Sequence, residues 1–131
     1  YAELADLRDL RFPRIPEHSK PAWWPVPVLY TGQQPSRDEL LKMLRAEGLE
    51  VNGALSPARG NLHTPVIRNR RFYPYSDHLP HFLEGVEFDE WACPVADRIF
   101  PQILRLPMDH RFTDLDVDET IAGIRKVWAC I

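Results

Sequence analysis

Proline limits what this chain can fold into more than any other sequence feature. The 131 residues include thirteen prolines and only six glycines. Proline fixes φ, lacks the N–H that a helix or an inner strand uses, and disfavours helix in the residue before it. We therefore expect long stretches to be extended or turning. The 44% hydrophobic content still predicts a chain with a packed core.

Charge and composition exclude several classes of protein. The net charge of −3 and pI of about 5.9 argue against a nucleic-acid-binding face, which needs an excess of basic side chains. No apolar run approaches the roughly 20 residues of a membrane-spanning helix, and no signal peptide is visible. Cys93 and Cys130 are too few for a disulfide framework. We expect a cytoplasmic protein with reduced thiols.

The clearest local pattern is a capped helix in the first half of the chain. Ser36 is followed three residues later by Glu39, which predicts a capping box. Gly48 fits the left-handed residue just beyond a helix end. A short strand is expected in the sequence LEVNGAL, residues 49–55. Three leucines at helical spacing form the apolar face of the helix: Leu40, Leu41 and Leu44.

The segments before this helix are harder to assign. Residues 1–10 are typical of the end of a helix, and the proline-rich sequence that follows predicts an extended connector. The sequence AWWPVPVLYT favours a strand by composition. Pro25 and Pro27 cannot donate to a ladder, so we expect an edge strand or a late start near Val26.

The C-terminal part predicts a helix, a strand and a closing helix. CPVADRIF is expected to be a short helix with Pro94 in its first turn and Pro101 ending it. Pro107 ends a strand in QILRLPM. Either Thr113 or Asp116, the latter paired with Glu119, is expected to cap the last helix. Its apolar face has four residues: Val117, Ile121, Ile124 and Trp128. The pattern predicts an α+β sandwich, a small mostly antiparallel sheet with helices on one face.

Four short motifs give the chain a family resemblance because they occur together in a fixed order. They are Arg37-Asp38, Gly48-Leu49-Glu50, Cys93-Pro94-Val95-Ala96-Asp97 and Leu106-Pro107. In this order they resemble the C-terminal small domain of the DegT/StrS family of pyridoxal-phosphate-dependent sugar aminotransferases. The resemblance implies the small-domain fold of aspartate-aminotransferase-like enzymes. It also implies a transaminase acting on a keto sugar or nucleotide-linked keto sugar, as in polysaccharide or antibiotic sugar biosynthesis.

The resemblance also implies how the chain is organised. Residues 1–22 would be the end of an interdomain helix and a connector, and residues 23–131 the small domain. The large domain with the Schiff-base lysine would precede Tyr1, since none of Lys20, Lys42 and Lys126 lies in a Ser/Gly-rich loop. The chain alone is then expected to hold no catalytic residue, to bind no pyridoxal phosphate and to be inactive. The whole enzyme would be a homodimer.

Candidate substrate-binding residues lie in and before the long polar stretch at 56–90. His63 is either an exposed loop histidine or a side chain that points into the substrate cleft. Asn52 is either a turn residue before Gly53 or a contact at the end of a strand. Arg59, Arg68 and Arg71 either meet a diphosphate by bidentate hydrogen bonds or are solvated side chains.

The sequence offers three alternatives to this interpretation. His78, His81, Cys93 and His110 lack the spacing of a zinc site, so no metal is expected. No Gly-x-Ser-x-Gly elbow supports a hydrolase triad. A stand-alone binding or interaction module that keeps the small-domain fold without catalysis is the alternative function. The apolar face of an isolated small domain also predicts self-association.

Overall fold

A three-stranded antiparallel sheet organises the first of two compact units, which comprises Tyr1–Gly53 and Gln102–Ile131. The structure is a computed structural model, and it describes residues 1–53, 64–71, 81–87 and 93–131. The strands are β1 (Leu10–Arg11), β2 (Val26–Tyr30) and β3 (Ile103–Leu106), in the spatial order β1-β2-β3.

Four α-helices are present in the described residues. The first unit contains α1 (Arg37–Ala46) and α4 (Asp114–Trp128). The second unit, Ala54–Pro101, contains α2 (Pro65–Arg68) and α3 (Pro94–Ile99). None of these helices is long and apolar enough to cross a membrane. Three 3₁₀ turns complete the described elements: Ala2–Leu4, His81–Leu83 and Phe100–Gln102.

The core of the first unit lies between one face of the sheet and helices α1 and α4. Along β2, alternate side chains are buried, as expected for a strand with one face against a core. Leu40 and Leu44 of α1 are 0% and 1% exposed. Ile124, Val127 and Trp128 of α4 complete the same cluster. The predicted α+β architecture, a small antiparallel sheet with helices on one face, is confirmed.

Pro27 lies in the central strand without breaking the ladder. The Thr31 N–H donates to Asp9 O at 2.8 Å, so the odd-numbered residues of β2 direct their backbone polar groups toward β1. The pairing of β1 ends at Arg11 opposite Leu29. No N–H is therefore needed at Pro27, while Val28 pairs with Leu104 of β3 on the other side. The predicted start at Val26 is correct, but the strand is not at an edge.

The helix predicted over residues 1–10 does not form beyond the Ala2–Leu4 turn. Side chains of α4 bind the backbone there instead. Arg125 Nη2 donates to Glu3 O at 2.6 Å, and Trp128 Nε1 donates to Arg8 O at 2.9 Å. Leu10 then enters β1 opposite Tyr30. These contacts come from the far end of the chain, so local spacing cannot reveal them.

Both long helices begin with capping boxes. Ser36 N–H donates to Glu39 Oε2 at 2.8 Å at the start of α1, as predicted. In α4 the N-cap is Thr113, whose N–H donates to Asp116 Oδ2 at 2.7 Å. Asp116 is therefore the third residue of the helix and not its cap, so the alternative Asp116–Glu119 box is wrong.

The remaining predictions for α3, β3, α4 and residues 49–55 are confirmed in part. α3 begins with Pro94 in its first turn as predicted, but the chain continues through Pro101 in a 3₁₀ turn. β3 ends directly before Pro107 as predicted. In α4 the side chain of Val117 is 42% exposed rather than packed in the core. The strand expected at residues 49–55 is reduced, in the described part, to a single bridge at Asn52.

The capping boxes predict how stability depends on pH. Hydrogen bonds from Ser36 and Thr113, first from their side chains and then from their backbones, lower the pKa values of Glu39 and Asp116. Groups with lowered pKa values stabilise the fold above their unfolded pKa, and this contribution is lost as the pH falls through the folded value. We expect the Tm to fall as the pH is lowered from about 5 towards 3.

The double variant Glu39→Gln/Asp116→Asn keeps side-chain oxygens that can accept the cap hydrogen bonds but removes the titrating groups. Its Tm should fall less over the same pH range in thermal melts followed by circular dichroism. Glu84→Gln/Asp118→Asn is the matched control, since neither side chain makes a hydrogen bond within the described residues. Equal pH dependence of the two double variants would contradict the prediction.

Candidate oxyanion-binding site

The five predicted substrate-binding residues do not form one described site. His63 and Arg59 lie outside the described residues. Arg68 is the last residue of α2, and Arg71 follows three residues later. Both are exposed and belong to the second unit. Asn52 belongs to the first unit. Of these five residues, Asn52 is the one that lies in a described cluster of functional groups.

Asn52 pairs with β3 instead of forming a turn. Its N–H donates to Arg105 O at 3.1 Å, and Arg105 N–H donates to Asn52 O at 2.7 Å. This reciprocal pair makes an isolated antiparallel bridge on the outer side of β3. The interpretation of Asn52 as a turn residue before Gly53 is therefore wrong. Directly opposed residues project to the same face, so the side chains of Asn52 and Arg105 are neighbours.

The path to this bridge begins at the end of α1. Gly48 has φ +86°, and its N–H donates to Arg45 O at 3.0 Å. Leu49 N–H donates to Leu44 O at 3.2 Å. This pair of bonds is a Schellman motif, which reverses the chain and needs a left-handed residue where glycine lies. The segment Val51–Gly53 then runs back beside α1.

One stripe of α1 contacts this returning segment. Arg37, Leu41 and Arg45 are spaced by four residues and so share a helix face. Arg45 Nε donates to Val51 O at 2.9 Å, and its Nη2 donates to Asn52 Oδ1 at 3.2 Å. From the other side, Arg105 Nε donates to Gly53 O. Two guanidinium groups therefore bind adjacent parts of one short backbone segment.

Arg37 brings a third guanidinium group to the same segment. A side chain at Gly53 would meet Arg37 Nη1 at 2.5 Å, so the guanidinium lies directly over this glycine. Arg37 Nε is 2.7 Å from Asp38 Oδ1, an ion pair. The Nε–H does not point at that oxygen, however, and this buried donor has no hydrogen-bond acceptor. The Arg37 side chain is 19% exposed.

The cluster of Arg37, Arg45, Arg105 and Asn52 is rich in donors that remain unused. A guanidinium carries five N–H donors. Arg45 engages two of its nitrogens and Arg105 one within the described residues. Asp38 is the carboxylate paired with Arg37, and its side chain is 73% exposed. Guanidinium groups bind carboxylate and phosphate oxygens in bidentate fashion, so these arginines are the candidates for binding an anionic ligand, and we call the cluster the oxyanion site.

The lysines of this chain do not fit a Schiff base with pyridoxal phosphate. An amine that forms an imine must lose its proton, which a hydrophobic or cationic environment favours. Lys126 Nζ instead donates to Glu47 Oε2 at 2.6 Å, and this hydrogen bond raises the lysine pKa. Lys20 and Lys42 are exposed. We therefore derive no reaction step from this cofactor on these residues.

The described residues contain no group of three or more His, Cys, Asp and Glu side chains placed to hold a metal ion. Of the candidate zinc ligands, His78 lies outside the described residues. Cys93 and Cys130 are free and exposed.

Comparison with known proteins adds no assignment. No protein-family model matches the chain, and no curated protein matches it. The DegT/StrS resemblance stays a prediction from the four motifs.

Sequence reasoning did not identify the three arginines of the oxyanion site. The spacing of Arg37 and Arg45, eight residues apart with Leu41 between them, was an available signal for a shared helix face. Arg105 had no local signal, because its role depends on pairing with a residue 53 positions earlier. Of the arginines predicted to bind substrate, Arg68 and Arg71 lie in the second unit and Arg59 lies outside the described residues.

Two glycine substitutions distinguish an effect on the oxyanion site from an effect on the free energy of unfolding. Gly53→Ala should displace the flexible Arg37 side chain while changing the free energy of unfolding by less than about 1 kcal/mol. Gly48→Ala meets no atom within 4 Å but forces a left-handed residue, which costs about 1 kcal/mol or more. Urea unfolding gives the free energies, and the ¹⁵N resonance of Arg37 Nε reports its displacement. An unmoved Arg37 resonance in Gly53→Ala would contradict this geometry.

Proposed function

We propose that this chain is the C-terminal small domain of a pyridoxal-phosphate-dependent aminotransferase acting on a keto sugar or nucleotide-linked keto sugar. The observation that carries the proposal is the oxyanion site. Three guanidinium groups with unused donors lie against the segment that follows the Gly48-Leu49-Glu50 motif. A nucleotide-linked sugar presents diphosphate oxygens, which such donors recognise.

The positions of the resemblance motifs support the same proposal. Arg37-Asp38 forms the first turn of α1, and Gly48-Leu49-Glu50 makes the reversal after it. Cys93-Pro94 begins α3, and Leu106-Pro107 ends β3. Each motif therefore lies at the boundary of an element, where residue type determines backbone geometry. This is the pattern expected of motifs that define a domain fold.

In this proposal the chain binds and orients substrate and does not perform the bond chemistry. Holding a diphosphate at fixed donors places the attached sugar and limits its rotation, which lowers the entropic part of the barrier. A wall built on α1 and β3 also excludes water from a cleft. The cofactor and its lysine belong to a large domain, which we place before Tyr1 in a cytoplasmic homodimer.

The second candidate is a binding module without a catalytic half. Lys126 is compatible with both candidates, because neither needs a Schiff-base lysine in this chain, and its Nζ donates to Glu47 Oε2. Both candidates use the oxyanion site. They differ in whether a cofactor-binding domain is part of the same protein.

Uridine diphosphate is a direct probe of the oxyanion site in either case. Titration into the ¹⁵N-labelled chain should shift resonances of Val51–Gly53 and the three arginine side chains. Arg45→Gln and Arg105→Gln should each weaken binding roughly tenfold, the value of one charge-assisted hydrogen bond. The affinity should also fall with added salt, because the site binds by charge.

Arg14→Gln is the matched control, since Arg14 is exposed in the connector and makes no contact with the site. It removes the same charge and should leave the affinity unchanged. Circular dichroism checks that each variant is folded. Equal losses of affinity in Arg14→Gln and Arg45→Gln would show that binding depends on net charge alone. This result would contradict a defined site.

A further inference from the structure

An apolar groove of about 190 Å³ opens on the first unit, apart from the returning segment. Its lining includes Trp23 from the connector, Leu106 at the end of β3 and Ile121 on α4. Four groove residues are well exposed: Tyr1 and Phe112 at 38%, Met108 at 40% and Val117 at 42%. An apolar side chain that enters this groove would be removed from water, which is favourable.

An acidic cavity of about 670 Å³ adjoins the groove. The two share one wall, formed by Pro107, Met108, Phe112 and Thr120. Five carboxylates line the cavity against two guanidinium groups, those of Arg105 and Arg111, which leaves a net charge of −3. The carboxylates belong to Glu47, Glu50, Asp109, Asp116 and Glu119.

Two of these carboxylates are available to a ligand. Glu47 binds Lys126, Asp109 binds Arg111, and Asp116 belongs to the capping box of α4. Glu50 and Glu119 have no partner among the described residues. Trp24, also on the cavity lining, is 80% exposed and presents an aromatic ring. Unpaired carboxylates beside an exposed indole fit a lysine or arginine side chain.

We propose that the apolar groove and the acidic cavity together dock a basic, amphipathic polypeptide segment of a partner protein. An apolar side chain of the segment enters the groove, and a lysine or arginine within one turn of it enters the cavity. Charge complementarity supports this occupant. The apolar groove and the negatively charged cavity share one wall, so a segment with an apolar and a basic side chain close together can fill both. The proposal concerns a ligand of opposite charge to that of the oxyanion site, and it stands whatever enzyme the chain belongs to.

A second copy of the chain fits this face poorly. A two-fold contact places the same patch on both subunits, so the carboxylates at 109–119 would approach their own copies. Like charges brought together in an interface cost binding energy. Self-association through this surface is therefore disfavoured, and any homodimer contact uses another face.

Three synthetic peptides of equal length test the proposal on the whole chain. Each is N-acetylated and C-amidated and contains three repeats: Leu-Lys-Lys-Leu, Leu-Glu-Glu-Leu or Ser-Lys-Lys-Ser. Titrations followed by ¹⁵N–¹H spectra should show the first peptide binding, with shifts at Met108, Phe112 and Glu119. The other two should bind at least about tenfold more weakly, since each lacks one of the two required properties.

Two matched pairs of variants locate the contact. Glu50→Gln/Glu119→Gln should lower the affinity for the Leu-Lys peptide by about twofold to fivefold for each charge removed. The control Glu84→Gln/Asp118→Asn should leave this affinity unchanged. Val117→Ser should weaken it, whereas Leu115→Ser should not, because Leu115 is 65% exposed but does not line the groove.

Sedimentation velocity of the free chain completes the test. A monomer that binds the Leu-Lys peptide at the groove supports the proposal. Equal binding of the Leu-Glu peptide, shifts confined to other surfaces, or a dimer that buries Val117 and excludes the peptide would each overturn it.

Discussion

The reversal of the chain at Gly48 positions the residues of the candidate oxyanion site. Gly48 adopts φ +86°, which a side chain would oppose, and the Schellman hydrogen bonds around it send the chain back along α1. Asn52 can then pair with Arg105 on the outer side of β3. The helix, the returning segment and the sheet edge are joined at this point, and the oxyanion site forms where they meet.

Features with local causes were predictable from sequence, and features with distant partners were not. The Ser36–Glu39 box, the Gly48 turn and the end of β3 at Pro107 depend on residues a few positions apart. The central position of β2 could not be predicted from its sequence. It is possible because β1 ends opposite Leu29, so that no strand on that side needs an N–H from Pro27. In the candidate site, Asn52 was identified but its partner Arg105 was not, because the two residues are 53 positions apart in the sequence.

The two binding surfaces that we propose on the first unit are opposite in charge. The oxyanion site offers guanidinium donors along Val51–Gly53, while the acidic cavity offers Glu50 and Glu119 beside an apolar groove. Arg105 belongs to the oxyanion site and also lines the acidic cavity, and its Nε donates to Gly53 O. Lys126 lines neither surface, and its Nζ donates to Glu47 Oε2, a hydrogen bond that raises the lysine pKa.

The mass and visible spectrum of the protein purified from its own source test the aminotransferase proposal most directly. A small domain of such an enzyme should be found in a chain well over twice this length, with the visible absorbance of bound pyridoxal phosphate. That band should change when an amino donor is added. A colourless protein of this length that still binds uridine diphosphate would contradict the proposal and leave the binding module as the function.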